Sequence, residues 1–153
     1  MKRLGVQCSF LKASAGLQAS LEACGERKRY AAEQPLFRED EGNRGVYLVI
    51  SGRVRMSIGG LPKLDRMFSS GSVLGLPSTF TGHPYSLTAV ALTDVELLHV
   101  PQEGFVELMR ERSELCREAT EMLGREVSFI QSALTKRRKS GNPSRLVREP
   151  VCQ

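Results

Sequence analysis

The sequence predicts a mainly β domain with flanking helices, of the α+β class, that ends in a long C-terminal helix. Short β-prone segments separated by turn residues fill the middle of the chain, and helical apolar spacing precedes and follows them. The 153 residues, 41% hydrophobic and 25% charged, suit one ordinary globular domain with room for one core.

The N-terminal segment, residues 1–24, predicts a short amphipathic helix. Small or apolar side chains recur at roughly helical spacing from Cys8 to Cys24, and Gly25 follows as a stop signal. The first residues briefly imitate a signal peptide, but Gln7 and later polar residues interrupt the apolar run. Because no later segment approaches the ~20 apolar residues of a membrane span, we expect a cytoplasmic protein with no membrane partner.

Between Arg29 and Val100 the pattern becomes that of strands. Segments such as GVYLVISGRVRMSIG and YSLTAVAL are rich in β-branched and apolar residues, and Gly, Pro, Asn or Asp separate them. Roughly eight short strands fit into this region. Regular spacing of short strands with glycine-rich corners favours a β-sandwich or barrel over a βαβ sheet.

Two helices are predicted after Pro101. The segment QEGFVELMRER gives a short one, and Ser113 can cap a second that continues to Thr135, about 34 Å at ~1.5 Å per residue. Apolar residues on this second helix keep spacings of three and four residues or their sums, and they form a seam of Cys116, Leu123, Val127, Ile130 and Leu134. The seam either packs against its own barrel or pairs with the same helix of a second subunit. The second interpretation predicts a homodimer with an interface of Leu123, Val127, Ile130 and Leu134.

The net charge of +5 comes largely from basic clusters near the two ends of the chain. We expect residues 136–153, which begin with KRRK, to form a basic and disordered tail. No aromatic residue is interleaved with these charges, so a solvated tail is favoured and specific DNA binding is not expected.

Neither a metal site nor a catalytic site follows from the residue pattern. Four cysteines lie far apart without a C-x-x-C motif, and the two histidines, His83 and His99, are sixteen residues apart. His83 precedes a proline and suits a turn, with haem ligation as the alternative. We therefore expect no cofactor and no enzymatic activity.

Three segments carry a family resemblance. They are GVYLVISGRVRMS (45–57), GSVLGL (71–76) and TAVALTDVELLHVPQEGF (88–105). Together with the order helix, β-roll, short helix, long helix, they resemble the Crp/Fnr family. The resemblance implies a double-stranded β-helix jelly roll of the cyclic nucleotide-binding type over residues 25–135, in which the long helix serves dimerisation. It also implies a role in signal sensing and transcription regulation.

The resemblance further implies a phosphate-binding cassette. In ligand-binding members of the family, a glycine opens a short helical turn, a glutamate takes the ribose hydroxyl, and an arginine with a following small hydroxyl residue binds the phosphate. These four positions correspond to Gly75, Leu76, Tyr85 and Ser86. Leucine accepts no hydrogen bond and tyrosine carries no charge, so we do not expect cyclic AMP or cyclic GMP to bind in the usual pose.

The expected pocket consists of the cassette residues and one residue of the long helix. Its members are Leu74, Gly75, Leu76, Pro77, Ser78, Tyr85, Ser86, Leu87, Thr88 and Gln131. Apolar walls with a few hydroxyls suit a mostly neutral small-molecule effector of unknown identity. Either Arg66 or Arg125 is an alternative source of positive charge. A second interpretation is that the side chains fill the pocket, and that the domain recruits a protein partner through its C-terminal helix.

Family regulators carry a helix-turn-helix module after the long helix. Here eighteen residues follow Thr135, and Gly141, Pro143 and Pro150 interrupt any helix among them. The sequence therefore predicts no DNA-reading module of its own. A free-standing sensor domain and the product of a truncated gene both remain open.

Overall fold

Thirteen elements make up the fold of the described residues, 6–59 and 65–140, in a computed structural model of the chain. In chain order they are β1 Val6–Gln7, α1 Ala15–Cys24, β2 Glu26–Tyr30, β3 Pro35–Phe37, β4 Val46–Ser51, β5 Val54–Ser57, β6 Arg66–Phe68, β7 Val73–Leu74, α2 Leu76–Thr81, β8 Thr88–Ala91, β9 Val95–Val100, α3 Gln102–Glu111 and α4 Ser113–Ser140.

The strands form two sheets that share one hydrophobic core. The five-stranded sheet has the order β1-β6-β5-β8-β3, and the four-stranded sheet has the order β2-β9-β4-β7. All pairs are antiparallel except β1 with β6. Side chains of both sheets and of all four helices contribute to the core. The mainly β prediction with flanking helices is confirmed.

Strand β4 lies inside the four-stranded sheet, between β9 and β7. Its residues Val46, Tyr47, Leu48 and Val49 are all buried, because the core covers one face and other chain segments cover the second. The loop after β3 leads directly into β4, so β4 forms one side of the site described below.

Helix α1 is shorter than the prediction from Cys8 to Cys24, since it begins only at Ala15. The Ser14 hydroxyl caps it by accepting a hydrogen bond from the Leu17 N–H at 3.1 Å. Before Ser14, Val6 and Gln7 pair with β6, and a turn leads to the 2.9 Å bond from the Ala13 N–H to the Gly71 carbonyl. Long-range pairing therefore overrides helical spacing in this segment.

Helix α4 begins at Ser113 as predicted but continues to Ser140, beyond the expected end at Thr135. The remainder of the predicted basic tail, residues 141–153, lies outside the described residues. The buried face of α4 consists of residues spaced four, three and four apart, namely Leu115, Ala119, Met122 and Glu126.

The predicted seam lies beside this buried face rather than on it. Val127 and Leu134 keep 37% and 38% of their surface exposed, whereas Leu123 and Ile130 are half-buried against the core. Half of the predicted interface therefore contacts the β-roll, and the other half faces solvent.

Within the described part of the chain, no helix combines the length and the apolar character that a membrane crossing requires.

Gly45 joins the site loop to β4 with a backbone that L-amino acids rarely adopt. Its φ is +113°, and a Cβ atom there would overlap the Val100 carbonyl oxygen and lie 2.8 Å from the Pro101 Cα. The close approach fixes the start of β4 against the end of β9.

We expect Gly45→Ala to lower the free energy of unfolding by about 1–3 kcal/mol from backbone strain alone. Gly124→Ala is the matched control, because Gly124 is helical and a Cβ there would meet nothing within 4 Å. The control should raise stability by roughly 0.5–1 kcal/mol. Urea denaturation measures both, and equal stability of the two variants would contradict this account of Gly45.

Candidate ligand-binding site

The candidate site is built around the turn between β7 and α2. Gly75 follows β7 directly and has a left-handed φ of +92°, and Pro77 lies in the first turn of α2. A Cβ on Gly75 would lie 3.0 Å from the Gly45 carbonyl oxygen and 3.2 Å from the Tyr85 ring. The local sequence LGLP thus specifies a tight turn packed against the start of β4.

The hydroxyls of α2 hold the loop that follows it. Ser78 Oγ donates a hydrogen bond to the His83 carbonyl and accepts one from Asn43 Nδ2 at 2.7 Å. Thr79 Oγ1 donates to the Gly75 carbonyl at 2.8 Å and accepts from Asn43 Nδ2 at 3.2 Å. Both hydroxyls are therefore engaged within the protein.

Tyr85 is a structural anchor in this loop. Its hydroxyl accepts a hydrogen bond from the Arg44 N–H at 3.0 Å and donates one to the Gly45 carbonyl at 2.8 Å. Its ring stacks on Phe37 with centroids 4.0 Å apart. Burial is the main reason that the pKa of Tyr85 rises to about 12. Tyr85 is therefore a neutral phenol whose hydroxyl is engaged on both its donor and acceptor sides.

The loop, the turn and α4 enclose a cavity of about 10 Å³. A cavity of this volume holds about one water molecule. The residues that line it are Phe37, Gly75, Pro77, Ser78, Tyr85, Ser86, Leu87 and Glu126. The cavity therefore has room for little more than one small group.

Glu126 is the unusual group of the cavity. It is 1% exposed, and its Oε1 atom has no hydrogen-bond partner among the described residues. Burial raises the pKa of Glu126 to about 8, with no basic side chain acting against the shift. At neutral pH the carboxyl group is therefore mostly protonated in the folded protein.

Six predicted site residues meet at this cavity: Gly75, Pro77, Ser78, Tyr85, Ser86 and Leu87. The other four predicted residues do not line it. Leu74 and Leu76 are buried in the core, and the Thr88 hydroxyl accepts a hydrogen bond from the Glu39 N–H at 3.0 Å. Gln131 is exposed on α4, so the assignment of the helix contact to Gln131 needs correction to Glu126.

The two alternative arginines are also engaged elsewhere. The Arg66 guanidinium lies 5.2 Å from the centroid of the Phe129 ring, and Arg125 Nε donates to the Phe10 carbonyl at 3.2 Å. Neither of them lines the cavity.

Sequence reasoning missed Phe37 and Glu126. A glutamate on a helix normally faces solvent, so the sequence did not point to a buried position for Glu126. One signal was present, because Glu126 continues the four-three-four spacing of Leu115, Ala119 and Met122. Phe37 carries no comparable signal, because its stacking on Tyr85 joins residues that are distant in the chain.

Residues 27–112 match the family of the cyclic nucleotide-binding domain. The chain belongs to this family. It is similar to the cyclic AMP receptor protein of Thermus thermophilus, with 31% identity over 88 residues, 56% of this chain and 41% of that protein. It is also similar to the neuropathy target esterase sws of Drosophila persimilis, with 32% identity over 73 residues, 46% of this chain. That match covers 5% of the esterase, so it carries no argument about esterase activity.

The solved structures give the same fold. The catabolite activator protein of Thermus thermophilus superposes with a TM-score of 0.66 at 25% identity, over 80% of this chain and 59% of that chain. The expected resemblance to the Crp/Fnr family and the cyclic nucleotide-binding-like jelly roll are confirmed. The chain spans less than two thirds of the length of these Thermus relatives.

Glu126 should make stability depend on pH. The folded carboxyl keeps its proton up to about pH 8, whereas the unfolded one loses it near the ordinary value of 4.5. The folded state binds more protons between these values, so the free energy of unfolding should fall as pH rises, by up to about 1.4 kcal/mol per pH unit.

Glu126→Gln removes the titrating proton with little change of shape. Urea denaturation from pH 5 to pH 9 should therefore show a stability difference, wild type minus variant, that decreases with rising pH and levels off above about pH 8. A difference that stays constant over this range would show that Glu126 is not buried in its neutral form.

Proposed function

We propose that the domain is a ligand-sensing regulatory domain of the Crp/Fnr type whose cassette has diverged from nucleotide chemistry. One observation supports the proposal: Tyr85, which we assign to the position of the family arginine, and the buried Glu126 of α4 line the same cavity of about 10 Å³. We assign no enzymatic activity to it, and we place it in the cytoplasm. Similarity to a cyclic AMP receptor protein supports the regulatory class.

The energetics argue against a cyclic phosphate in this cavity. Each missing charged hydrogen bond removes about 1.5–3 kcal/mol, and two such partners are absent. The single hydroxyl of Tyr85 is already engaged on both its donor and acceptor sides. A phosphate would also face the Glu126 side chain, which supplies no positive charge to it.

Helix α4 is the proposed output element. Its buried face contacts the β-roll, and Glu126 on that face lines the cavity beside α2. At the N-terminal end, Glu118 on α4 accepts two hydrogen bonds of 2.7 Å from Ser14. A ligand that contacts Glu126 more favourably in one position of α4 than in another would shift the equilibrium between these positions.

We further propose that the seam pairs with a second copy of the chain. Val127 and Leu134 expose apolar surface at a spacing of seven residues, and the half-buried Leu123 and Ile130 extend this surface toward the β-roll. An isologous contact between two identical helices covers such a surface on both subunits at once.

A structural or interaction module is the second candidate function. The water-sized cavity and the stacked rings of Phe37 and Tyr85 favour it, because they leave little space for a ligand. In that case α4 would recruit a protein partner without a small-molecule signal.

Cyclic AMP should give no saturable heat with the wild-type protein in isothermal titration, because the phosphate lacks donors and meets Glu126. The variant Leu76→Glu/Tyr85→Arg restores the family groups but keeps the buried carboxyl, so it should also fail. Adding Glu126→Ser should produce binding.

The matched control for this series replaces the arginine with glutamine, in Leu76→Glu/Tyr85→Gln/Glu126→Ser. This control should show no saturable heat with cyclic AMP, and circular dichroism verifies that all variants are folded. Saturable binding of cyclic AMP to the wild type would overturn the diverged cassette, whatever the variants do.

Val127→Asp should convert a dimer into a monomer in sedimentation velocity, since it places a charge in the proposed apolar contact. Ser128→Asp is the matched control, because it adds the same charge at an exposed position about 100° further around the helix. A Val127→Asp protein that sediments like the wild type would move the interface elsewhere or exclude it.

A further inference from the structure

Glu126 Oε1 is an acceptor without a partner among the described residues, and it lies at a cavity where two of the lining hydroxyls already donate to the backbone. The hydroxyls of Ser78 and Tyr85 both donate to backbone carbonyls, so neither is available to a ligand anion. Glu126 Oε1 accepts no hydrogen bond from any described residue although the side chain is 1% exposed. Native proteins rarely leave such a buried polar atom without a partner.

A second unpartnered acceptor lies one side chain away. Asn43 donates from Nδ2 to Ser78 and Thr79, whose hydroxyl protons are both directed to carbonyl oxygens. These bonds fix the orientation of the amide, since a flipped amide would direct its oxygen at two acceptors. Asn43 Oδ1 is thereby left buried without a hydrogen-bond partner in the described structure. The region is therefore rich in acceptors.

Among the described residues, no basic side chain neutralises Glu126. Helix α2 carries no charged residue, and His83 in the next loop is exposed. Arg44, whose N–H meets the Tyr85 hydroxyl, directs its guanidinium to the Leu36 carbonyl at 3.0 Å and to Glu41 at 3.3 Å. Arg125, next to Glu126 on α4, is bonded to the Phe10 carbonyl. The described residues that line the cavity therefore include no cation.

We propose that this cavity binds the ammonium head of a primary amine, with Glu126 Oε1 as its acceptor. The inference rests on the proposed sensing function of the same cavity. An ammonium group and a water molecule are of similar size, so the head fits a volume of about 10 Å³. The rest of the ligand leaves past Ser86, which lines the cavity and is exposed to solvent.

The chemistry reverses the polarity of the family cassette. A phosphate needs donors and positive charge, whereas an ammonium supplies three donors and a positive charge to a cavity whose described lining residues carry no positive charge. A quaternary ammonium lacks N–H groups and is larger, so it should be rejected. Selectivity for a primary amine over its fully methylated analogue follows from this.

Binding of the amine should release a proton near neutral pH. Burial raises the pKa of Glu126 to about 8, and an adjacent cation favours the ionised carboxylate. A primary amine, like a lysine side chain, keeps its own charge to about pH 10. The affinity should therefore rise by up to tenfold per pH unit below about pH 8 and level off above it.

The experiment compares n-propylammonium chloride with tetramethylammonium chloride at equal ionic strength, on the whole chain. Thermal unfolding and isothermal titration at pH 7.5 provide the readouts. Wild type should show a saturable rise in Tm with n-propylammonium alone. Titrations in phosphate and in HEPES, neither of which is a primary amine, should differ in heat, because the released proton is taken up by buffers of different ionisation enthalpy.

Glu126→Gln should lose both the rise in Tm and the dependence on buffer. Glu121→Gln, at an exposed position of the same helix, is the matched control and should keep both. The proposal is overturned if Glu126→Gln responds like wild type, if tetramethylammonium stabilises equally, or if n-propylammonium has no effect.

A separate screen of neutral and anionic metabolites distinguishes this failure from failure of the sensing function. If n-propylammonium has no effect but another compound stabilises wild type and Glu126→Gln equally, the sensing function is supported and the amine proposal is overturned. No response to any compound would overturn both proposals and favour the interaction module.

Discussion

The hydroxyl of Tyr85 holds together the region on which the candidate site depends. It bonds to the Arg44 N–H and to the Gly45 carbonyl, and so attaches the loop after α2 to the start of β4. The same carbonyl oxygen lies against Gly75, which leaves no space for a side chain there. A phenol that is stacked on Phe37 and buried satisfies two backbone groups that would otherwise lack partners. Tyr85 is therefore part of the scaffold of the candidate site.

Neutral groups alone hold the turn between β7 and α2. The left-handed glycine, the short helix and the returning loop fold through backbone geometry and the hydroxyls of Ser78 and Thr79. None of these features requires a charged side chain. Leu76 and Tyr85 lie in the hydrophobic core cluster, so they stabilise the turn by burial.

The sequence predicted those parts of the structure that depend on local signals. Eight strands between Glu26 and Val100, the short helix α3 and the start of α4 at Ser113 follow from turn residues and apolar spacing. Partners distant in the chain decided the remainder. The residues before Ser14 pair with the sheet, and Glu126 is buried because α2 and the loop after it cover that face of α4. Neither contact leaves a local signal strong enough to override the usual preferences of these residues.

The buried face and the seam of α4 belong to one rigid element, which limits how the domain can respond. Glu126 lines the cavity and the adjacent Val127 exposes 37% of its surface, about 100° around the helix. A rotation of α4 that changes the surroundings of the Glu126 carboxyl must also change the direction in which the seam points. Because Glu126 Oε1 is buried without a hydrogen-bond partner among the described residues, small changes in its protonation or contacts carry large differences in free energy. Adjacent placement on one helix is therefore a direct physical route from the cavity to the proposed interface, without any longer path through the β-roll.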